Sequence, residues 1–554
     1  MQYKLTTLLL FAVCFGAFAS GLNNSTSHTA ALDTSTPENE APSALISLDA
    51  NAARKPIDAR IFSTNLPNWV GTAWSENGTA IARTQAASLS IMRIPGGSES
   101  NEYDWLACET GNAAVCGSWR LTPTDFINFM QAAGAEAMYT ANQNGTSKEA
   151  AALVAFFNGD VNDNTTIGVD VHGYNWQTVG HWAQLRADHG NPAPANVQYW
   201  EIGNEIFGGK VGKDCKSYGW EDVWTCDGVE YVNGIGSGSN RKEGYLEFRD
   251  AMRAVDSTIK VGAVGVSLQD DEMWTNWGTE VIAEAGDVMD FYVIHKYAYS
   301  DSQSNPAAAL ARPQEMWGAM MDDYEAAYEQ AFPGETPPPV AVTEYNLFST
   351  YGRDGGQWMT EAVNMLFMAD SLGQMAENGF AIANQWDLVN GSQSNGTDYG
   401  MLGRYNSRDR YPQYYAFPMW ARFGDNLLPV SSTYDPKTTL SVYAGRPDSE
   451  TVSVMVINKT GGSIYAPIQI DNMPSMTVGG TVDVVRASSL GSRSVTFNGV
   501  SNPSDDLSNA PSGHVAVFFN GRSYTFPPYS ITLLRLGFDE FIPTNYFYTP
   551  LVLR

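Results

Sequence analysis

The run VQYWEIGNE, residues 197–205, decides how this chain is read. Its first half is β-branched and aromatic, and Gly203, Asn204 and Glu205 follow directly after the apolar part. That pattern is a buried strand whose carboxyl end opens into a polar loop. Working outward, seven further short β-like runs fall at 61–66, 89–94, 135–141, 260–266, 289–295, 340–345 and 381–386. Between them lie stretches with apolar residues at three- and four-residue spacing, including 123–133, 244–255, 313–331 and 357–377. Eight strands alternating with helical crossovers form the count of an α/β fold of the closed (β/α)8 TIM barrel type. A doubly wound open sheet is the alternative, but no GxGxxG fingerprint follows the first strand.

Beyond a helical stretch at 414–423 the texture changes. Short alternating runs at 440–443, 451–457, 466–470, 481–485, 514–519 and 530–536, separated by Gly, Asn, Ser and Pro, read as an antiparallel β-sandwich. A strand at 45–48 lies outside the barrel count and is expected to pair with that sandwich. The expected organisation is therefore a signal peptide at 1–19, a flexible leader at 20–43, the barrel at 44–428, the sandwich at 429–538 and a C-terminal tail at 539–554.

Composition bounds the partners. The chain of 554 residues is 43% hydrophobic and 17% charged, enough apolar material for a large core and too little charge for a disordered chain. Its net charge of −28 repels nucleic acid and anionic membranes. Lys4 precedes an apolar run at 8–19, and Ala17-Phe18-Ala19 has the small-x-small form that a signal peptidase accepts. The expectation is a secreted, extracellular or periplasmic protein with no membrane contact after cleavage. A lipoprotein anchor on Cys14 is the rival, with bulky Val13 against it. Cleavage leaves four cysteines, Cys108, Cys116, Cys215 and Cys226, an even count suited to an oxidising compartment. The economical pairs are 108 with 116 and 215 with 226, among three possible connectivities. A zinc site is disfavoured because no CxxC element occurs. Sequons stand at Asn77, Asn144 and Asn395.

Active sites of such barrels sit at the C-terminal ends of the strands. There, VQYWEIGNE places Asn204 and Glu205, and VAVTEYN (340–346) places Glu344 in the same relative position. Either glutamate alone could cap a helix or meet an arginine. Two at matching strand ends form the carboxyl pair that cleaves a glycosidic bond. HExxH, GxSxG and a phosphate-binding loop are lacking, which leaves little support for a metal hydrolase or an esterase.

WEIGNE (200–205) and TEYN (343–346) resemble the acid/base and nucleophile strands of clan A glycoside hydrolases. IMRIPGG (91–97) continuing into SESNEYDW, and YLEFRDAMRAVDSTIKVGAVG (245–265), resemble family 51 α-L-arabinofuranosidases, as do RYPQYYAFPMWARFGDNLLP (410–429) and PPYSITLLRL (527–536). The resemblance implies a retaining glycosidase with Glu205 as acid/base and Glu344 as nucleophile, ~5 Å apart, acting on an oligo- or polysaccharide without a cofactor or metal. It implies that Arg93, Asn204, His295, Tyr297 and Trp386 line the sugar site together with Asn65, with Arg93 lowering the pKa of Glu344. Two departures stand out. The family usually places a glutamate after the first strand where this chain has Asn65, and an Asn after the paired glycines where Ser98 and Glu99 follow here. An endo-acting β-glycanase of the same clan, with Trp69, Trp74, Trp105 and Trp119 as stacking platforms or as core, and an inactive carbohydrate-binding barrel are the alternatives.

Overall fold

The computed structural model describes residues 45–210, 219–404, 409–472, 478–518 and 523–537. The expected signal peptide, leader and C-terminal tail, and Cys215, lie outside the described residues. All eight expected barrel strands form. They are β1 (Ser63–Asn65), β2 (Ile91–Ile94), β3 (Glu136–Ala141), β4 (Tyr199–Ile202), β5 (Lys260–Val264), β6 (Phe291–Tyr299), β7 (Val340–Phe348) and β8 (Ile382–Gln385). Neighbours pair in parallel, and β8 returns to β1 to close the barrel.

The two-residue period of a strand explains the barrel interior. Ile91, Met138, Phe291 and Ile382 are buried in one apolar cluster, with Tyr199 packed against it. Two residues further along their strands stand Arg93, Thr140, Val293, Asn384 and Glu201. Apolar side chains thus plug the lower barrel, and a mostly polar layer lies above them toward the strands' carboxyl ends.

Some elements differ in extent from expectation. β1 starts later because Ala59–Ile61 is a 3-10 turn, capped by the Asp58 carboxylate, which accepts from the Arg60 N–H. The helix expected from 357 starts at Ala362, since Asp354 accepts the N–H groups of Trp358 and Met359 and folds Trp358–Thr360 into a 3-10 turn first. β6 and β7 run further than their apolar stretches suggest. They stay paired through His295↔Glu344, Tyr297↔Asn346 and Tyr299↔Phe348, after a register shift between Ile294 and His295. This extension lifts their polar residues above the barrel rim. The helix Pro123–Ala133 has its expected bounds, fixed by a Thr122–Asp125 capping box and by Gly134 in the left-handed region.

The C-terminal part forms two sheets. One is built on Leu440–Gly445, Thr451–Asn458, Ser530–Gly537 and Val478–Ala487. In the other, Ile46–Asp49 lies between Val430–Ser432 and Ile464–Asp471, so the first described strand does join the sandwich. Its pairing with Ile464–Asp471 is parallel, a departure from the all-antiparallel expectation. Ile46, Leu48, Val454, Ile468 and Leu534 form the core between the sheets. Cys108 and Cys116 are bonded to each other, and Cys226 is also disulfide-bonded. No helix among the described residues is long and apolar enough to cross a membrane.

Candidate active site

Arg93 is the hub of the polar layer. Fully buried on β2, its guanidinium donates to Glu201, to Glu344 Oε1 at 2.8 Å, to Asn204 Oδ1 at 2.7 Å and to Asn65 Oδ1 at 3.0 Å. Glu201 also accepts from the Thr140 hydroxyl at 2.7 Å. Burial works against the arginine's charge, but Glu201 and Glu344 more than offset it and hold its pKa above the usual value. A planar five-donor fork is suited to joining four acceptors drawn from three strands, which a lysine could not do.

Glu205 and Glu344 reach the mouth by different routes. Glu205 follows β4 with a left-handed backbone, φ 44°, a conformation that a non-glycine residue keeps only when its surroundings enforce it. Glu344 stands on the extended part of β7. Oxygens of these two carboxylates and a ring nitrogen of His295 all lie within 4.8 Å of one another. His295 Nδ1 is 2.9 Å from Glu205 Oε1 and 3.6 Å from Glu344 Oε2, and its Nε2 is 3.0 Å from Thr343 Oγ1. Burial lowers the imidazole pKa to about 4, so the ring is neutral near pH 7. With Glu205 ionised, the single ring proton belongs on Nδ1 between the carboxylates, and the Thr343 hydroxyl donates to Nε2. Three N and O donors this close are also what a metal ion needs. Each is already paired within the protein, and the Arg93 charge stands beside Glu344.

The surroundings of the two carboxylates are unequal. Burial is the largest influence on both and pushes both pKa values up. Against it, Glu205 has the Trp220 indole N–H, donated at 2.6 Å, and the more distant Arg93 charge. Glu344 has His295, direct contact with Arg93 and the Tyr297 hydroxyl, donated at 2.8 Å, while Glu205 pushes it further up. Arg93 therefore does pull Glu344 down, but burial outweighs it. The expectation of a net depressed Glu344 is corrected on that ground.

A cavity of about 790 Å3 opens over the pair, lined by Asn204, Glu205, His295, Tyr297, Glu344 and Trp386 together with Ser98, Trp69, Phe207, Trp220, Trp274 and Tyr351. Arg93 and Asn65, expected to line the sugar site, do not reach it. Both are fully buried below the carboxylates, where Asn65 also donates to Thr343 O at 2.9 Å and Gln385 O at 3.1 Å. Short strands with inward side chains place them one layer too deep. The paired glycines have a steric reason, since a Cβ on Gly97, at φ 65°, would come within 2.6 Å of the Trp386 ring. Of the four early tryptophans, Trp69 lines the cavity with its ring 5.9 Å from Trp386, Trp74 and Trp105 are core, and Trp119 is exposed outside the cavity lining. Sequence reasoning missed Glu201, Trp220 and Glu221. Glu201 lies inside the quoted VQYWEIGNE, four residues before Glu205. Trp220 and Glu221 belong to a loop without periodicity and carried no signal.

A closed (β/α)8 barrel with two carboxylates this close at its mouth has the groups that cleavage of a glycosidic bond requires. Residues 84–312 match the family model described as the alpha-L-arabinofuranosidase 1 domain. Over 251 residues the chain is 24% identical to an intracellular exo-alpha-(1->5)-L-arabinofuranosidase of Halalkalibacterium halodurans, covering 43% of this chain and 42% of that protein. Over 316 residues it is 23% identical to a probable alpha-L-arabinofuranosidase C of Aspergillus flavus, covering 52% of this chain and 55% of that one. The chain thus spans about half the length of the curated relatives it matches. The GH51 alpha-L-arabinofuranosidase structure from Thermotoga petrophila superposes with a TM-score of 0.66 at 19% identity, over 89% of this chain and all of the other. In barrel sequence the chain is similar to α-L-arabinofuranosidases, and in fold it is similar to the family 51 structures.

Proposed function

We propose that this protein is a secreted, retaining glycoside hydrolase that releases α-L-arabinofuranosyl groups from plant-type polysaccharides or their fragments. The observation that carries the reading is the carboxylate pair. A separation within 4.8 Å fits the ~5 Å of retaining enzymes and leaves no room for the water that an inverting enzyme holds between acid and base. Glu344, held by Arg93 and Tyr297, attacks the anomeric carbon while Glu205 gives its proton to the departing glycosidic oxygen. The glycosyl ester on Glu344 is then hydrolysed by water that loses its proton to Glu205, restoring both groups and the original anomeric configuration. Trp386 and Trp69 offer apolar faces to sugar C–H groups, and Asn204 offers an amide to the hydroxyl beside the reacting carbon.

Secretion is supported by the N-terminal apolar run and by the disulfide-bonded cysteines, although the Halalkalibacterium relative is described as intracellular. Mass spectrometry of the mature N-terminus after expression in a secreting host tests it. An endo-acting reading is favoured by one observation. The cavity lining holds two separate aromatic contacts, Trp69 with Trp386 and Trp220 with Trp274, more apolar faces than one sugar ring covers. Turnover of aryl α-L-arabinofuranosides against β-xylosides and β-glucosides, with product sizing from arabinan, arabinoxylan and β-glucan, separates the two. Arabinose as the sole early product supports the proposal. Long fragments from a β-glycan would replace it with the endo reading, and no turnover of any substrate would leave a carbohydrate-binding protein.

A further inference from the structure

Glu221, a buried carboxylate on the loop after β4, takes no part in the displacement itself. It is 1% exposed and accepts from Ser98 Oγ at 2.6 Å, Asn101 Nδ2 at 2.7 Å and Asn204 Nδ2 at 3.0 Å. Its chain neighbour Trp220 donates to Glu205 Oε2 at 2.6 Å. Two successive residues of one loop therefore grip two successive residues of the catalytic strand end.

We propose that Trp220 and Glu221 are positioning residues of the glycosidase reaction, Glu221 by locking the Asn204 amide and both by setting the orientation and charge surroundings of Glu205. This rests on the assignment of Glu205 as acid/base. The lock follows from donor and acceptor matching. Asn204 Oδ1 accepts from Arg93 and Nδ2 donates to Glu221. Turning the amide over would set an N–H group against the guanidinium and an oxygen against the carboxylate, so only one orientation survives. Asn204 lines the cavity, and its second amide hydrogen is then available to a sugar hydroxyl. The backbone is tied as well. Asn101 accepts the Asn204 N–H at 3.0 Å and donates to the Asn204 carbonyl at 2.8 Å, while its Nδ2 also serves Glu221.

Burial, then the Glu205 charge, raises Glu221 to about 7, so the two acids titrate as a coupled pair and Glu221 carries its charge in the neutral to basic range. The groups facing Glu205 are Arg93, Glu221, His295, Tyr297 and Glu344, and Lys210 is close enough to Glu221 to feel its charge. A negative Glu221 favours the protonated form of Glu205, and the Trp220 N–H favours the ionised form.

Opposite shifts of the basic limb of the kcat/KM profile test this, measured on an aryl α-L-arabinofuranoside. Glu221→Gln keeps the shape, removes the charge and leaves one amide contact mismatched. The expected result is kcat reduced about 10- to 100-fold with KM little changed, and the basic limb moved to lower pH. Trp220→Phe should move that limb to higher pH. Glu221→Asp, which keeps the charge, should leave the limb in place while lowering kcat. Limbs that coincide with wild type in both Glu221→Gln and Trp220→Phe would overturn the proposal, as would loss confined to KM. Should Glu221→Gln fail to fold, Trp220→Phe alone gives the test. A wild-type enzyme without turnover would instead defeat the functional reading. In that case a 13C titration of the Glu205 carboxyl in wild type and Glu221→Gln still decides the coupling, with identical curves refuting it.

Discussion

Arg93→Met is the substitution whose consequences the geometry fixes most fully. Methionine matches the stem of arginine but removes the charge and every donor from a group that now serves Glu201, Glu344, Asn204 and Asn65. The two carboxylates have side chains only 0% and 6% exposed, so water does not replace what is lost. Breaking such a buried pair by deleting one partner costs about 3–5 kcal/mol. At ~2.1 cal/mol/K per residue, a unit of roughly 500 residues has a midpoint unfolding entropy of ~1 kcal/mol/K, so Tm should fall by about 3–5 °C. The sign with pH follows from Glu344. Its pKa already lies above the ordinary carboxylate range, and loss of Arg93 raises it further. A raised folded-state carboxyl contributes stability at low pH that is lost as pH rises through the folded value. The Tm difference from wild type should therefore widen from pH 4 to pH 8. In the proposed mechanism Glu344 must be ionised to attack, so the acidic limb of kcat/KM should move to higher pH and narrow the bell. Differential scanning fluorimetry across pH, with aryl arabinofuranoside kinetics, reads both effects. A Tm within 1 °C of wild type at all pH values, or an acidic limb that does not move, would refute the hub role of Arg93.

Other expectations follow from single contacts. Gly97→Ala must displace the Trp386 ring or strain a left-handed backbone, so KM for arabinofuranosides should rise more than kcat falls, and an unchanged KM would contradict the packing. His295, lowered to about 4 by burial, destabilises the fold as pH drops from 6.5 to 4 because the unfolded chain binds the proton first, on the order of 3 kcal/mol. His295→Gln should flatten that part of the Tm–pH curve. Cys108 and Cys116 close a loop with a sequence separation of 8, worth ~2–3 kcal/mol by loop entropy. The double serine variant should melt about 2–3 °C lower with kcat/KM unchanged, since neither cysteine lines the cavity.

Much of the barrel was legible because its strands are short apolar runs separated by amphipathic helices, a contrast that a single sequence carries. The positions of Glu205 and Glu344 were legible for the same reason, each following the apolar part of its strand. Depth was not. Arg93 and Asn65 read as mouth residues, but β1 and β2 end below the rim, while β6 and β7 rise above it through a register shift that no residue type announces. The loop after β4 was silent. Trp220 and Glu221 act on Glu205 and Asn204 from positions set by chain folding, with no periodicity to mark them. The parallel pairing of Ile46–Asp49 with Ile464–Asp471 joins segments more than four hundred residues apart, and only the alternation of each strand, not its direction, was readable.

Trapping the covalent intermediate tests the central claim most directly. A 2-fluoro arabinofuranosyl substrate with a good leaving group should inactivate the enzyme with one sugar bound per chain, and peptide mass spectrometry should place that sugar on Glu344. A label on Glu205, or hydrolysis of the parent substrate with inversion and no trapped ester, would contradict the account.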